Sequence, residues 1–535
     1  MLLSMQTILT HYNNTVEKPM ENEFPGTNKE LTPLTNSNRI QVMDLLRGFA
    51  LIGIIMMNIE WFNRPVSALL SFDYSLTGFD WASSWLVKVF VEGKFYKLFS
   101  ILFGMGFAIM LVRAQEADRK FGAWFTRRML ALFVFGMAHL IFLWGGDIIH
   151  DYAVGGLLLL GFVLLLRIKK LARFNTPATF AKVGFSLLLM PLLVSMFAAL
   201  YFGVTRDNTV ITNDWQQEVS INQQLDVLLQ QEKDNPKEIW VSKDTEIEDE
   251  STLIAASAAV NDSDVEALEE KEEAVEEVDE DSMTDEELII YKAQQRFERK
   301  QSRAQDEAKE TAAFTQTSYI EATKYRAKSA VEALGNTPTF AFFVCLPLFM
   351  VGYWLVASGR MKNPQQHQSF FSVMCWGGLS IGLLLSIAGT FISLHPVTKS
   401  AIEVRAGGQT IFYYGQFVLC AGYIGLFVKL ASKAWFIKGF SWLAPLGKMA
   451  LTNYIGHSII LTTIFYGYAG GMFGQIARGQ QMLIVVAVIF AQVVFCTLWL
   501  KFFRFGPLEW LWRSITYLKW QPLRLEKKLD TSIAS

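Results

Sequence analysis

An all-α, polytopic transmembrane bundle is the fold this 535-residue sequence predicts, and three observations predict it. The first is a series of ten mostly apolar blocks, each about the 20 residues a bilayer-spanning helix needs. The second is composition: 52% of residues are hydrophobic and only 18% charged, against roughly 25% charged in an average soluble domain. The third is that Lys and Arg gather in alternate loops, as the positive-inside rule requires. This composition excludes a disordered chain, a collagen-like fibre and a disulfide scaffold, and argues against an ordinary soluble enzyme.

The chain opens with a polar segment, 1–38, containing three prolines. It lacks a basic region followed by an apolar core and a small-residue cleavage site, so no cleaved signal peptide is expected and the first span serves as an anchor. The ten expected spans are 42–63, 85–112, 123–144, 148–168, 179–204, 339–357, 369–394, 411–431, 440–466 and 482–503. The second is interrupted by Glu92, Lys94 and Lys97 in its first half, which leaves 97–112 as its cleanest part. The two lysines are expected to snorkel toward the interface.

Basic residues cluster in the loops 113–128, 167–182, 358–368 and 429–439 and in the tail after 500. With ten spans all of these fall on one side, so both termini are expected in the cytoplasm. The domain organisation that follows is a cytoplasmic tail (1–38), a five-span half (39–204), an extracytoplasmic insert (205–338), a second five-span half (339–520) and a short cytoplasmic tail (521–535). Within the insert, 232–287 holds 23 acidic residues against 4 lysines, a net charge of −19. The formal charge of −2 for the whole chain therefore leaves +17 for the rest. Such a segment is expected to be a solvated linker, followed from about Glu287 to Leu334 by an amphipathic helix near the membrane surface. Its acidic residues lack calcium-loop spacing, and Cys345, Cys375, Cys420 and Cys496 form no CxxC pair, so no metal site is expected.

Ionisable and polar groups at membrane depth are the candidates for function. Asp44 and Arg47 lie three apart at the start of the first span and can pair, or Arg47 can present its charge to an anionic ligand such as a phosphate. The run Trp144-Gly145-Gly146-Asp147-Ile148-Ile149-His150-Asp151 makes a tight turn at the opposite surface. Asp147 can cap the next helix or, with His150, support a general base. His139, in mid-span, is an alternative base or a structural histidine. Lys94 guards the outer end of the second span. Asn453 and His457 share a face of the ninth span, with interhelical hydrogen bonding the plainer reading. After Pro507, Glu509 and Arg513 stand four apart on a surface helix rich in Trp.

These motifs resemble the YeiB-like family of bacterial multi-pass membrane proteins. The resemblance is carried by Asp44-x-x-Arg47-Gly48, by Lys94-Phe95-Tyr96-x-Leu98-Phe99-Ser100, by Gly146-Asp147-Ile148-x-x-x-Tyr152-Ala153, by Leu451-Thr452-Asn453-Tyr454 with Ser458, and by Gly506-Pro507-Leu508-Glu509-Trp510-Leu511-x-Arg513. Tyr319 and Arg326 fit it as well. It covers 39–204 and 315–520, and the acidic stretch departs from it. His457 stands where the pattern has a Gln. The family in turn is distantly similar to transmembrane acyltransferases of the heparan glucosaminide N-acetyltransferase type.

That similarity implies a bacterial inner-membrane acyltransferase passing an acyl group from cytoplasmic acyl-CoA to an extracytoplasmic acceptor. On that reading the expected catalytic residues are His150 with Asp147, or alternatively His139, and the expected ligand contacts are Asp44, Arg47, Lys94, Asn453, Glu509 and Arg513. No bound cofactor is implied beyond acyl-CoA as donor. The expected partners are the lipid bilayer, acyl-CoA and a second copy of the chain, and no nucleic acid. A small-solute transporter and a non-catalytic sensor or scaffold stay open as alternatives.

Overall fold

The computed structural model describes residues 41–66, 75–205, 208–234, 282–395 and 402–525. The expected N-terminal tail and most of the acidic stretch lie outside the described residues. Among the described residues the regular elements are all helical, with one isolated bridge between Phe503 and Arg524. The protein is a polytopic membrane bundle.

The first half is built from α1 (Gln41–Asn63), α2 (Gly78–Leu86), α3 (Lys94–Glu116), α4 (Phe121–Phe142), α5 (Ile149–Leu165) and α6 (Pro177–Thr205). A single π-turn, Val87–Val91, joins α2 to the short link before α3. Glu92 and Gly93 make that link, with Gly93 in the left-handed region at φ 75°. Its missing Cβ is where the Gln416 side chain lies, so both backbone and space call for glycine there. The second half contains α9 (Tyr319–Phe340), a π-turn at Ala341–Cys345, α10 (Leu346–Ala357), α11 (Gln368–Leu394) and α12 (Ile402–Leu430). It ends with α13 (Ala434–Gly439), α14 (Leu443–Lys448), α15 (Ala450–Phe465), α16 (Arg478–Phe502) and α17 (Pro507–Tyr517).

Lipid is as apolar as leucine, so burial alone cannot hold these helices together, and close backbone approach must. Gly48 and Gly447 let α1 and α14 touch, because a Cβ at either position would fall on backbone of the other helix. Gly104 and Gly352 do the same for α3 and α10, and Gly378 and Gly422 for the α11–α12 hairpin. The core runs along α1, α3, α5 and α10, with Leu45, Leu46, Leu98, Met105, Ala153 and Phe349 fully or almost fully buried. In α6, by contrast, only 11% of the spanning window is buried. That helix leans on the bundle through α10 and turns the rest of its surface outward.

Among the described residues, eight helical stretches are long and apolar enough to cross a membrane. Two of the ten expected spans are shorter. The 148–168 span is the 17-residue α5. The 440–466 span is broken into α14 and the 16-residue α15, which is only about 24 Å long. Within this stretch α14 packs against α1, with Gly447 against the Asp44 carbonyl and Gly48 against the Leu443 carbonyl, and Met449 separates α14 from α15. Thr452 and Asn453 consequently occupy the first turn of α15, not the middle of a span.

The expected single amphipathic helix at 287–334 is also corrected. It is two helices, α8 (Asp285–Thr315) and α9, separated at Gln316–Ser318. A reciprocal Thr284–Glu287 capping box starts α8. The apolar face of α8 packs on α7 (Asn208–Asp234) through Ile221, Leu225, Ala293 and Phe297. Arg296 adds a bidentate bond to Glu218, with 2.8 Å from Nη2 to Oε2. That partner helix, invisible to a local pattern, takes the apolar face assigned from sequence to the membrane surface. Nor does the expected boundary at 338 separate two units, because Tyr319–Ala357 is helical throughout.

Candidate functional site: a cation-rimmed cavity beneath a buried Asp–His cluster

Asp44 and Arg47, at the start of α1, form the expected pair at 3.2 Å. They line a cavity of about 290 Å³ between α1, α3, α4, α5, α15 and α17. Arg113, Arg128, Lys448 and Arg513 add four cations to its wall, and Glu509 a second carboxylate. These charges come from the first residues of α1, the last of α3, the early turns of α4, the last residue of α14, and α17, so they share one end of the bundle. The wall then becomes apolar through Phe99, Leu102, Phe103, Ile54 and Leu132. It closes on Ile148, Ile149, Tyr152 and Tyr454. Ten residues of α1 separate Asp44 from Ile54, so the cavity rises about 15 Å through the bundle.

Two of these cations are held by aromatics. The Arg128 guanidinium lies 3.5 Å from the Trp512 ring, whose indole N–H donates to Arg128 O at 2.8 Å. Arg128 Nε is buried and has no hydrogen-bond partner among the described residues. Arg513 stacks on Phe505 at 4.6 Å. Glu509 spends its carboxylate elsewhere than on the Arg513 predicted from spacing. It accepts from Leu451 N–H (2.7 Å), Thr452 N–H (3.1 Å) and the Thr452 hydroxyl (2.6 Å), and so caps α15. Burial pushes the Glu509 carboxyl up, and those hydrogen bonds oppose the shift.

Directly behind the blind end sits Asp147, between the Gly145-Gly146 turn and α5. Its Oδ1 lies 2.8 Å from His139 Nδ1 and its Oδ2 lies 2.8 Å from His150 Nδ1. The same Oδ2 accepts the His150 N–H at 3.0 Å, as a capping carboxylate does. Burial alone would raise the Asp147 carboxyl, but the two histidines hold it below the ordinary carboxylate range. An ionised carboxylate only accepts, so each Nδ1 that faces Asp147 donates to it, and each Nε2 points away from the carboxylate. His139 Nε2 is 2.7 Å from Ser458 Oγ, and His150 Nε2 is 3.4 Å from Asp151 Oδ1. His139, Asp147 and Ser458 are almost entirely buried.

The turn carrying Asp147 is braced from the second half of the chain. Arg326 donates to Ile141 O (3.0 Å) and Phe142 O (3.4 Å), and the Tyr319 hydroxyl donates to Phe142 O (2.6 Å). These are the last carbonyls of α4, which lack helical partners. Trp144 in the turn stacks on Phe62 of α1 at 4.3 Å.

Two groups of residues singled out from the sequence come close together in the fold. Asp44, Arg47, Glu509 and Arg513 line the cavity, while His139, Asp147 and His150 form one cluster behind its end. Lys94 and Asn453 are not in the cavity wall. Lys94 does not snorkel: it is fully buried, donates to Lys88 O at 3.0 Å and lies over Phe412. Lys97 is also fully buried, donating to Gln416 Oε1 and lying over Tyr413 and Phe417. Asn453 braces the break before α15 by donating to Leu446 O at 3.0 Å. His457, its i+4 neighbour, pairs with Gln492 at 2.7 Å, which is the interhelical bonding expected. Ser458, Arg113, Arg128 and Lys448 are members of the site that sequence reasoning did not select. Ser458 is 319 residues from His139, so no local spacing announces the contact.

Comparison with known proteins agrees with the architecture. Residues 355–519 match the family described as "Protein of unknown function (DUF418)". The chain is 27% identical to the uncharacterised protein YxaH of Bacillus subtilis over 508 residues, covering 93% of this chain and 99% of the relative. It is 23% identical to the uncharacterised protein YeiB of Escherichia coli over 489 residues, covering 89% of this chain and 95% of that one. A relative from Bacillus acidopullulyticus, described as an uncharacterised 39.9 kDa protein, is 24% identical over 94% of this chain. No solved structure matches. The protein is thus a multi-pass membrane protein with a DUF418 domain at 355–519 and a YeiB-like sequence along about nine-tenths of its length.

Proposed function

We propose that this protein is an acyltransferase of the bacterial inner membrane, taking an acyl group from an acyl-CoA and passing it to an acceptor on the other side. The observation that carries the reading is the cation-rimmed cavity whose blind end abuts the Asp147 cluster. In the proposed orientation the basic end faces the cytoplasm, in keeping with the positive-inside rule. Arg47, Arg113, Arg128, Lys448 and Arg513 then meet the phosphates of CoA, and the apolar wall takes the pantetheine and acyl portion. Asp147 orients the histidines so that an Nε2 accepts a proton from the attacking group.

The test is binding of acetyl-CoA and palmitoyl-CoA to the purified full-length protein in nanodiscs. Arg128→Glu is expected to weaken binding at least tenfold, and added salt to weaken it in the wild type. Failure of both thioesters to bind, or binding indifferent to charge reversal at the cavity, overturns the reading.

A further inference from the structure

We propose that Ser458 is the nucleophile of this site and carries the acyl group as a covalent ester between donor and acceptor. The inference rests on the acyl-transfer reading and deepens it from base catalysis to a two-step, covalent mechanism.

The geometry is that of a serine activated through a histidine and a carboxylate. Ser458 Oγ is 2.7 Å from His139 Nε2, and His139 Nδ1 is 2.8 Å from Asp147 Oδ1. Three elements supply the three residues: α15, the end of α4 and the turn before α5. A buried helical Ser or Thr ordinarily satisfies its hydroxyl by bonding back to the carbonyl one turn earlier. Ser100, Thr390 and Thr462 all do so here, donating to Tyr96 O, Ser386 O and Ser458 O. Ser458 instead directs its hydroxyl at an imidazole. Tyr454, one turn earlier on the same helix, lines the cavity end, and its ring lies 5.3 Å from that of His139. The serine is thus one helical turn beyond the space assigned to the thioester, with Tyr454 between them, and the reaction requires that ring to swing aside.

In the first step the Ser458 Oγ–H proton passes to His139 Nε2 while Oγ attacks the thioester carbonyl carbon. The C–S bond then breaks, and the thiol leaves with the proton from His139. In the second step an acceptor hydroxyl gives its proton to His139 Nε2 and attacks the Ser458 ester. The ester C–O bond breaks, and the proton returns to Ser458 Oγ. No oxidant, metal or further reactant is needed. Throughout, Asp147 stabilises the transient imidazolium and holds its tautomer, while its second oxygen stays with His150.

An alkyl fluorophosphonate, which reacts with activated serines whatever their natural substrate, is the probe. The full-length protein is treated in nanodiscs, digested and mapped by mass spectrometry, in parallel with acetyl-CoA and palmitoyl-CoA turnover. The expected result is phosphonylation of Ser458, at least tenfold slower in His139→Ala, with turnover lost in Ser458→Ala. Ser458 unlabelled, together with turnover that survives Ser458→Ala, overturns the covalent step and leaves acyl transfer standing. Ser458 labelled without turnover of either thioester supports the activated serine and overturns acyl-CoA as donor. Neither labelling nor turnover overturns both. The wild-type labelling result does not depend on any variant folding.

Discussion

Thr452 is held by Glu509 at two points, its backbone N–H at 3.1 Å and its hydroxyl at 2.6 Å from the carboxylate. Through this contact the last helix, α17, caps α15 and lines the basic end of the cavity. Glu509→Ala leaves two backbone N–H groups and a hydroxyl without their acceptor and is expected to cost about 2–3 kcal/mol. Glu509→Gln keeps one acceptor oxygen and is expected to cost about 1 kcal/mol. Thermal unfolding of the two variants in the same detergent checks the order, and equal melting temperatures would contradict it.

Gly136 of α4 faces the His150 backbone, and a Cβ there would lie 2.9 Å from Asp147 Oδ2. Gly136→Ala must push α4 from α5, the two elements whose approach brings His139 to Asp147. The expected outcome is a loss of about 1–3 kcal/mol from overpacking. Fluorophosphonate labelling of Ser458 should fall with it. Gly122→Ala, on the same helix with no atom near its Cβ position, is the control and should change neither.

Lys97 is a buried amine with one hydrogen-bond acceptor, Gln416, and aromatic rings on its other sides. Replacing a buried polar group by an apolar one of like shape is often neutral, whereas removing its partner is not. Lys97→Met is therefore expected to leave the melting temperature unchanged or raised. Gln416→Leu should cost about 2 kcal/mol or more. A large loss with Lys97→Met would indicate that the amine is needed for folding.

Glu310 of α8 accepts the Val66 N–H at 3.1 Å, and burial pushes its carboxyl up to about 7. A carboxyl raised above its unfolded value favours the folded state when protonated. The stabilisation is fully present below about 4.5 and is lost as pH rises through about 7. Hydrogen exchange in the second half of α8, corrected for the intrinsic rate, should be faster at pH 8 than at pH 6. Glu310→Gln should remove the difference, and a pH response unchanged in that variant would refute the assignment.

The residues themselves show how far the sequence reaches. Asp44 and Arg47 were readable as a pair because a helix places i and i+3 side by side. The apolar blocks were readable as helices because the bilayer demands length and backbone satisfaction within each segment. The Gly-Gly-Asp147 turn announced itself by composition. Glu509 misled because the same i+4 rule offered Arg513, while the unsatisfied N–H groups of α15 lay 57 and 58 residues away in the chain. Lys94 and Lys97 misled because snorkelling presumes a helix end near water, and here α12 covers them.

What the sequence determined by itself is the class of the molecule, a polytopic helical membrane protein. Hydropathy and Lys/Arg placement act locally, residue by residue, against a solvent of known thickness. What only the tertiary structure decided is the site. Arg47, Arg128 and Arg513 come to one cavity, and Ser458, His139 and Asp147 to one hydrogen-bonded line, only because α14 packs against α1 and α15 packs beside them. Such contacts span hundreds of residues and depend on helix breaks and glycine approaches. No periodicity along the chain encodes them.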